Sequence, residues 1–549
     1  MGIRTPRSDL MTQGGPVPSN ISGSALNVAW EDNPSVCLWN SNGSTDTDQS
    51  FLYGTEPIIS SLGMPREDEV QGTLDSILAP QVPHACPPIH DMSWYIPQPS
   101  AGLVAEPLKS TIGLLTHWEE HSAHLMMPVL APSHNPWLRL YIPTALQQPP
   151  SRAKESLLNA VVSAAAYHKA ECSPHERAHY LQRAAHCKRA AAESLRSAID
   201  SIAFFDSPPI NTTDRKALLA AAISMSSIEV FSGENEGNGY QNLLLGRKII
   251  RLTGGTDCWL TDTEGETLLQ IFRCNQVIAT SSGWAASQGN EDEDGDMQDV
   301  AQLPNPPISF PSQYTLDTTF GISMRTMRCL SQIAEFSRVI DRDSGRGTWL
   351  RDNAEAINYL EADIFDVFND PDAFRTQTPG DGAGVSDFVN DEIKENHLWA
   401  FHYSTGIFFR RVLCNGGSVP SSSRKPTDST GENTSLHLSG QYLVDKALEH
   451  LENIDALSSD AQNADTLWVG FIAAVEAVDM GLRHRAIAWF GRAKRHRISN
   501  IAKAKTFVQE VWRRVDRCSW NSSRGLDSEL GPIDWRDVMR EKGMYIMLT

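Results

Sequence analysis

Two short histidine motifs are the residues of this sequence whose types and spacing could perform catalysis. The first, HERAH at 175–179, follows the H-E-x-x-H pattern, in which two imidazoles one helical turn apart bind zinc and the glutamate activates a zinc-bound water. Its surroundings argue against a protease site, because Pro174 precedes the first histidine and the charged Arg177 stands where a buried site helix is apolar. The longer metzincin pattern would also need glycine at Gln182 and histidine at Ala185. A zinc metalloprotease using His175, Glu176 and His179 therefore stays only an alternative.

The second motif, HWEEH at 117–121, fits the H-x-x-E-H pattern, and His124 extends it. His117, His121 and His124 lie beside the apolar face of a predicted helix, which favours the polar boundary of an amphipathic helix over a metal site. The sequence contains no G-x-S-x-G elbow, no phosphate-binding loop and no dinucleotide-binding glycine motif. We therefore predict no enzyme, and we assign no catalytic, cofactor-binding or metal-binding residues.

Charge and cysteine content narrow the class of protein. The 549 residues include 67 acidic and 47 basic side chains, a formal net charge of −20, which disfavours general nucleic-acid binding unless positive charge is concentrated locally. The 9 cysteines are scattered without a C-x-x-C pair, which indicates reduced thiols in an intracellular compartment. No apolar run approaches the roughly 18 residues that span a bilayer. We expect a soluble protein with no membrane partner.

The N-terminal residues 1–109 differ in composition from the rest of the chain. They hold 13 of the 31 prolines and 12 acidic against four basic residues, without a helical period, so we predict a disordered arm. Within the arm, residues 30–53 interleave aromatic and acidic side chains, from Trp30 to Tyr53. This composition is typical of activation segments that offer aromatic side chains to a partner's groove; the alternative is a plain linker.

From about residue 110 the apolar residues recur with a helical period, and almost no strand-like alternation occurs. We predict an all-α domain over 110–549, with flexible insertions at about 281–316 and 415–436, where the sequence is rich in Gly, Pro, Ser or acidic residues. The segment 466–480 is apolar almost all round, which predicts a fully buried helix. The pattern after Pro149-Pro150-Ser151 predicts the start of another core helix.

The C-terminal residues 483–517 carry 11 basic against two acidic side chains. This stretch, which includes Arg492, Lys494, Arg495, His496 and Arg497, could form an import signal or bind phosphates. These cations alternate with an apolar stripe, however, so we interpret them as the solvent face of core-packed helices, paired in part with the protein's own acidic residues.

The two ends of the helical region resemble the fungal-specific transcription factor domain, in particular its arginine-metabolism-regulator branch. At the start, LLTHWEEHSAHLMMPVLAPSHNPWLRLYIPTALQQPPSRAKESLLNAVVSAAAYHK carries the NPW and P-x-A-L succession. The matching positions are Asn135, Pro136, Trp137, Pro143, Ala145 and Leu146. At the end, TLWVGFIAAVEAVD, RAIAWFGRA, AKTFVQEVWRRVD and DWRDVMREKGMYIMLT are similar to the close of the same domain.

The resemblance implies the helical regulatory domain of a zinc-binuclear-cluster regulator, a nuclear and usually dimeric protein that controls metabolic or biosynthetic-cluster genes transcribed by RNA polymerase II. Family members normally carry an N-terminal six-cysteine zinc cluster that places a helix in the DNA major groove. Before residue 110 this chain contains only Cys37 and Cys86, so it does not itself support DNA binding or a zinc cofactor. Two interpretations stay open: an upstream exon supplies the cluster, or the chain heterodimerises with intact regulators and modulates them.

Overall fold

The computed structural model describes ten ranges of the chain: 106–129, 131–203, 210–234, 237–283, 313–342, 346–375, 385–414, 439–458, 467–523 and 533–548. The predicted arm lies outside the described residues up to residue 105, and so does its activation segment 30–53. Most of the predicted insertion at 281–316 and all of that at 415–436 lie outside them too. Within the described ranges the chain forms helices and no β-strand, which confirms the all-α prediction.

The longer helices are labelled α1 to α14. Their bounds are α1 Glu106–His117, α2 Arg152–Cys172, α3 Arg177–Ala203, α4 Thr212–Ser232, α5 Asn238–Leu252, α6 Thr263–Ser281, α7 Met324–Arg342, α8 Ala354–Phe365, α9 Val385–Phe409, α10 Gly440–Leu457, α11 Leu467–Val475, α12 Met480–Ala493, α13 Ser499–Ser523 and α14 Trp535–Lys542. None of the helices in the described ranges combines the length and apolarity that crossing a bilayer requires.

Side-chain caps set several helix starts. Ser151, Asn211, Asp262 and Ser439 each accept a hydrogen bond from the backbone N–H three residues ahead. Such a cap satisfies one of the donors that the first helical turn leaves unpaired, and each is worth about 1 kcal/mol. The start of α2 after Ser151 is as the sequence predicts.

Helix α4 lies at the centre of the N-terminal half, where it packs against α2, α5, α6 and α13. Its residues 217–223 are all buried, so the helix is apolar on every side rather than amphipathic. Helix α11 has the same role in the C-terminal half, between α9, α10, α12 and α13. The Trp468 indole on α11 donates a hydrogen bond of 2.8 Å to Ser281 Oγ at the end of α6, which links the two halves of one continuous core.

The C-terminal helices follow the sequence prediction with one correction. All nine residues of α11 are buried, but the buried helix ends at Val475 rather than at 480. Val478 is 63% exposed and Met480 is 60% exposed, because the chain turns there and Asp479 caps α12 through the N–H groups of Gly481 and Leu482.

Candidate binding cavity

A cavity of about 1330 Å³ opens between three parts of the fold. One wall is the junction between α1 and the turn after it, the second is the C-terminal end of α2, and the third is the segment from the end of α12 into α13. In that third wall a 3-10 turn at Lys494–His496 is followed by Arg497, whose φ of 55° is left-handed. This conformation turns the chain sharply enough for α13 to begin at Ser499.

The histidine motif at 117–121 forms the first wall, but its geometry differs from the predicted α-helix. Residues Trp118–Ser122 are a π-helix, in which hydrogen bonds join residues five apart. Residues five apart on an α-helix diverge by roughly 140°, whereas the wider turn lets His117 and Ser122 contact the same atom, Nδ1 of His168. His117 is therefore buried, at 4% exposure, while His121 is exposed. The predicted polar boundary is wrong for His117.

His117 belongs to a buried cluster with His168 and Cys172. Nε2 of His117 lies 3.1 Å from Nδ1 of His168, and Sγ of Cys172 lies 3.6 Å from Nε2 of His168. Ser122 Oγ lies 3.0 Å from the same His168 Nδ1. Sequence reasoning missed the pair on α2, although His168 and Cys172 are four residues apart, the spacing that puts two side chains on one helix face.

Burial keeps three imidazoles of the cavity wall neutral, those of His117, His168 and His496. Desolvation lowers the pKa of His117 to about 3, with the nearby His168 adding to the effect. Desolvation also lowers the pKa of His168 to about 4, against a hydrogen bond to the His496 backbone that raises it. His496, buried in the third wall, likewise has its pKa lowered by burial to about 4. At neutral pH these rings present neutral nitrogen atoms rather than positive charges.

Most of the basic side chains of 483–517 pair with the protein's own acids, as predicted. Arg483 contacts Asp516 at 2.9 Å, and Arg492 contacts Asp455 at 2.7 Å. Arg483 departs from the predicted solvent face, because it is only 6% exposed.

Within the described residues, basic side chains without an acidic partner are found in the cavity wall. Lys169, Lys494 and Lys505 line it, and none of the three has an ion pair with another residue in the part of the chain that the structure describes. Glu171, an acid of this wall, is already paired with Arg177 at 2.8 Å. The cavity thus has an excess of positive charge within a protein of net charge −20, which favours anionic ligands.

Two of the residues that carry the family resemblance, Asn135 and Trp137, stabilise a turn that follows the first wall of the cavity. Asn135 is fully buried, its Nδ2 donates to the Ala123 carbonyl at 3.0 Å, and its Oδ1 accepts from the Trp137 and Leu138 N–H groups. The Trp137 ring is 1% exposed in the core. These contacts fix the turn that returns the chain from the first wall towards α2.

The other candidate zinc motif is not assembled. His175 and Glu176 lie on a 3-10 turn at Pro174–Glu176, whereas His179 lies on α3, and all three side chains are exposed. In zinc proteases both histidines of this motif lie on one face of one helix and bind the same zinc ion, so this geometry does not support the metalloprotease alternative.

Comparison with known proteins identifies the family. The family model described as the fungal specific transcription factor domain matches residues 113–549. No curated protein and no solved structure matches the chain. Because the match spans most of the chain and begins within α1, the chain belongs to the fungal specific transcription factor domain family.

Proposed function

We propose that this protein acts in the nucleus as a regulator of RNA polymerase II transcription, controlling genes of a metabolic pathway or a biosynthetic gene cluster. The family match over 113–549 carries the proposal, because it covers the helical domain from α1 to the C-terminus. The exposed and divided HERAH motif supports a regulator over a hydrolase.

The cavity supports a role for the helical domain as a sensor. Its cationic wall favours a small anionic effector, and a volume of about 1330 Å³ is enough for a metabolite. The chain leaves the N-terminal arm through α1, and α1 ends at His117 in the cavity wall. An effector that binds one conformation of this wall more tightly would increase the population of that conformation. The change would occur where the arm joins the domain.

The proposed partners are the transcription machinery and a second regulator. Aromatic and acidic residues of 30–53 would contact the machinery. DNA would be reached through a six-cysteine cluster, supplied by a related regulator in a heterodimer or by a segment upstream of residue 1, because residues 1–109 contain only Cys37 and Cys86. Homodimerisation is the other form of this proposal.

A tethering experiment tests the regulatory function. The full chain and residues 110–549 are each fused to an unrelated DNA-binding domain and expressed in a fungal host with a matched reporter gene. We expect reporter activation by the full chain, and loss of activation on removal of 1–109 or on replacement of Trp30, Trp39, Phe51 and Tyr53 by alanine. Replacement of Tyr95 and Trp94, outside the segment, is the matched control.

Absence of any reporter response, activating or repressing, from both fusions would contradict the proposal. A fluorescent fusion of the full chain should accumulate in the nucleus, and cytoplasmic retention would overturn the proposed location. Affinity purification from nuclear extract should recover a six-cysteine regulator in the heterodimer form. Recovery of a tagged second copy alone would favour the homodimer.

A further inference from the structure

The His117, His168 and Cys172 side chains, called here the His2Cys cluster, meet the first requirement of a metal site. One choice of ligand atom from each residue keeps all three atoms within 4.8 Å of one another. Zinc–nitrogen and zinc–sulfur bond lengths imply ligand separations of roughly 3.3 Å for N–N and 3.6 Å for N–S in a tetrahedral site. In the cluster, His117 Nε2 lies 3.1 Å from His168 Nδ1, and Cys172 Sγ lies 3.6 Å from His168 Nε2. These contacts use opposite nitrogens of the His168 ring, so an ion bound through either nitrogen draws in the third ligand atom from a separation of up to 4.8 Å.

The chemical nature of the cluster selects a class of ion. Two imidazoles and a thiol suit borderline and soft transition-metal ions, whereas Mg²⁺ and Ca²⁺ prefer oxygen ligands. The α2 helix fixes His168 and Cys172 one turn apart, and the π turn after α1 brings His117 to the same point. Helices on both sides therefore position the ligands.

One ring nitrogen of the His2Cys cluster has two hydrogen-bonding neighbours, and another has none among the described residues. Nδ1 of His168 has two neighbours, His117 Nε2 and Ser122 Oγ, whereas the buried Nδ1 of His117 has no partner. A buried imidazole nitrogen without a hydrogen-bond partner destabilises the folded state, and the His117 side chain is only 4% exposed. A ligated His168 could still use its other nitrogen, because Ser122 and the His496 backbone both lie beside the ring; such second contacts orient metal-binding histidines.

We infer that His117, His168 and Cys172 bind one borderline transition-metal ion of the Zn²⁺ class, with a coordination position open towards the cavity. On binding, the Cys172 thiol releases its proton to solvent and the thiolate sulfur forms the bond to the metal, with no change of oxidation state. All three ligands line the cavity, so water fills the open position. Without a metal, burial raises the pKa of the Cys172 thiol, with Glu171 adding to the effect and with Arg497 and Lys169 opposing it.

The test uses the purified full-length chain, stripped with a chelator and titrated with Zn²⁺ or with Co²⁺ as a spectroscopic probe. We expect one ion per chain, with thiolate-to-cobalt charge-transfer absorption and the d–d bands of a tetrahedral site. Loss of a neighbour of a metal ligand already weakens binding roughly 10–100-fold, so Cys172→Ser should weaken Co²⁺ binding by at least about 100-fold and abolish the charge-transfer band. His117→Gln should have an effect of similar size on affinity.

Two matched controls separate this site from other cysteines and histidines. Cys258→Ser should leave binding unchanged, because Cys258 is not among the residues that line the cavity, and its Sγ donates to the nearby Gly254 carbonyl at 3.4 Å. His175→Ala should also leave it unchanged, and loss of binding there would place the metal at HERAH and overturn the inference. Circular dichroism checks that each variant is folded.

A measurement on the unaltered chain guards against variants that fail to fold. Zn²⁺ should slow the alkylation of Cys172 by iodoacetamide, mapped by mass spectrometry, without slowing that of Cys258. Equal alkylation with and without Zn²⁺, or the absence of stoichiometric Co²⁺ binding, would overturn the inference. Neither readout involves transcription, so failure of the metal site and failure of the proposed function are distinguishable.

Discussion

The histidine buried at position 402 makes stability dependent on pH, and the structure gives the size of the effect. His402 on α9 is completely buried. Its Nε2 lies 2.9 Å from the Ile364 carbonyl, which can only accept, so Nε2 carries the proton and Nδ1 accepts from the Thr326 hydroxyl at 3.0 Å. The ring is therefore a satisfied neutral imidazole. Burial lowers its pKa to about 4 from the ordinary 6.5.

The sign of the pH dependence follows from the lowered pKa. Between pH 6.5 and about 4 the unfolded chain protonates this histidine and the folded chain does not, so unfolding takes up a proton and stability falls as the pH falls. Each pH unit in this window removes about 1.4 kcal/mol. We expect a loss of about 1.4 kcal/mol from His402 between pH 7.5 and 5.5, and about 3 kcal/mol by pH 4.

The substitution His402→Gln isolates the pH-dependent contribution of His402 to stability. Glutamine keeps a donor for the Ile364 carbonyl but cannot be protonated. Free energies of unfolding from urea titrations at pH 7.5 and 5.5 should differ by about 1.4 kcal/mol less in the variant than in the parent. His134→Gln, at an exposed position, should leave the difference unchanged, because water solvates that ring in both states. An unchanged difference in His402→Gln would refute the reasoning that this ring stays neutral in the folded chain.

Two further predictions concern packing and a buried ion pair. Arg411 and Glu476 form a bidentate ion pair in which each side chain is about nine-tenths buried. Glu476→Ala should lower the free energy of unfolding in urea by roughly 3–5 kcal/mol, because it leaves a buried guanidinium without its carboxylate partner. A loss below 1 kcal/mol would contradict the buried pairing. A Cβ at Gly470 would collide with the Trp489 ring, so Gly470→Ala should cost about 1–3 kcal/mol by overpacking. Gly347→Ala, where a Cβ meets nothing within 4 Å, is its control and should not lower the melting temperature.

Local sequence patterns were enough to predict much of the fold. The all-round apolar segment that became α11 and the Ser151 cap of α2 each depend on residues close together in the chain, so periodicity and capping chemistry reveal them. The family motif around Asn135 is local in the same way, because its amide bonds to Trp137 and Leu138 only two and three residues ahead.

The candidate site could not be predicted in the same way. His117 and His168 are 51 residues apart, and a π turn rather than an α-helical turn brings His117 inward. An α-helical pattern contains no information about that extra residue per turn. The unpaired lysines of the cavity wall looked like the rest of the basic stretch, since pairing depends on which acids the fold brings near.

The amino-acid sequence by itself determined the class of this protein: helices, an acidic arm of distinct composition, and membership of a regulator family. Those properties follow from composition, period and short motifs, which act over one or two helical turns. Only the tertiary structure decided which histidine is buried, which cations remain unpaired, and that two imidazoles and a thiol meet beside a cavity. Burial, desolvation and ligand geometry arise from side chains distant in sequence, and packing of α1 against α2 is what brings them together.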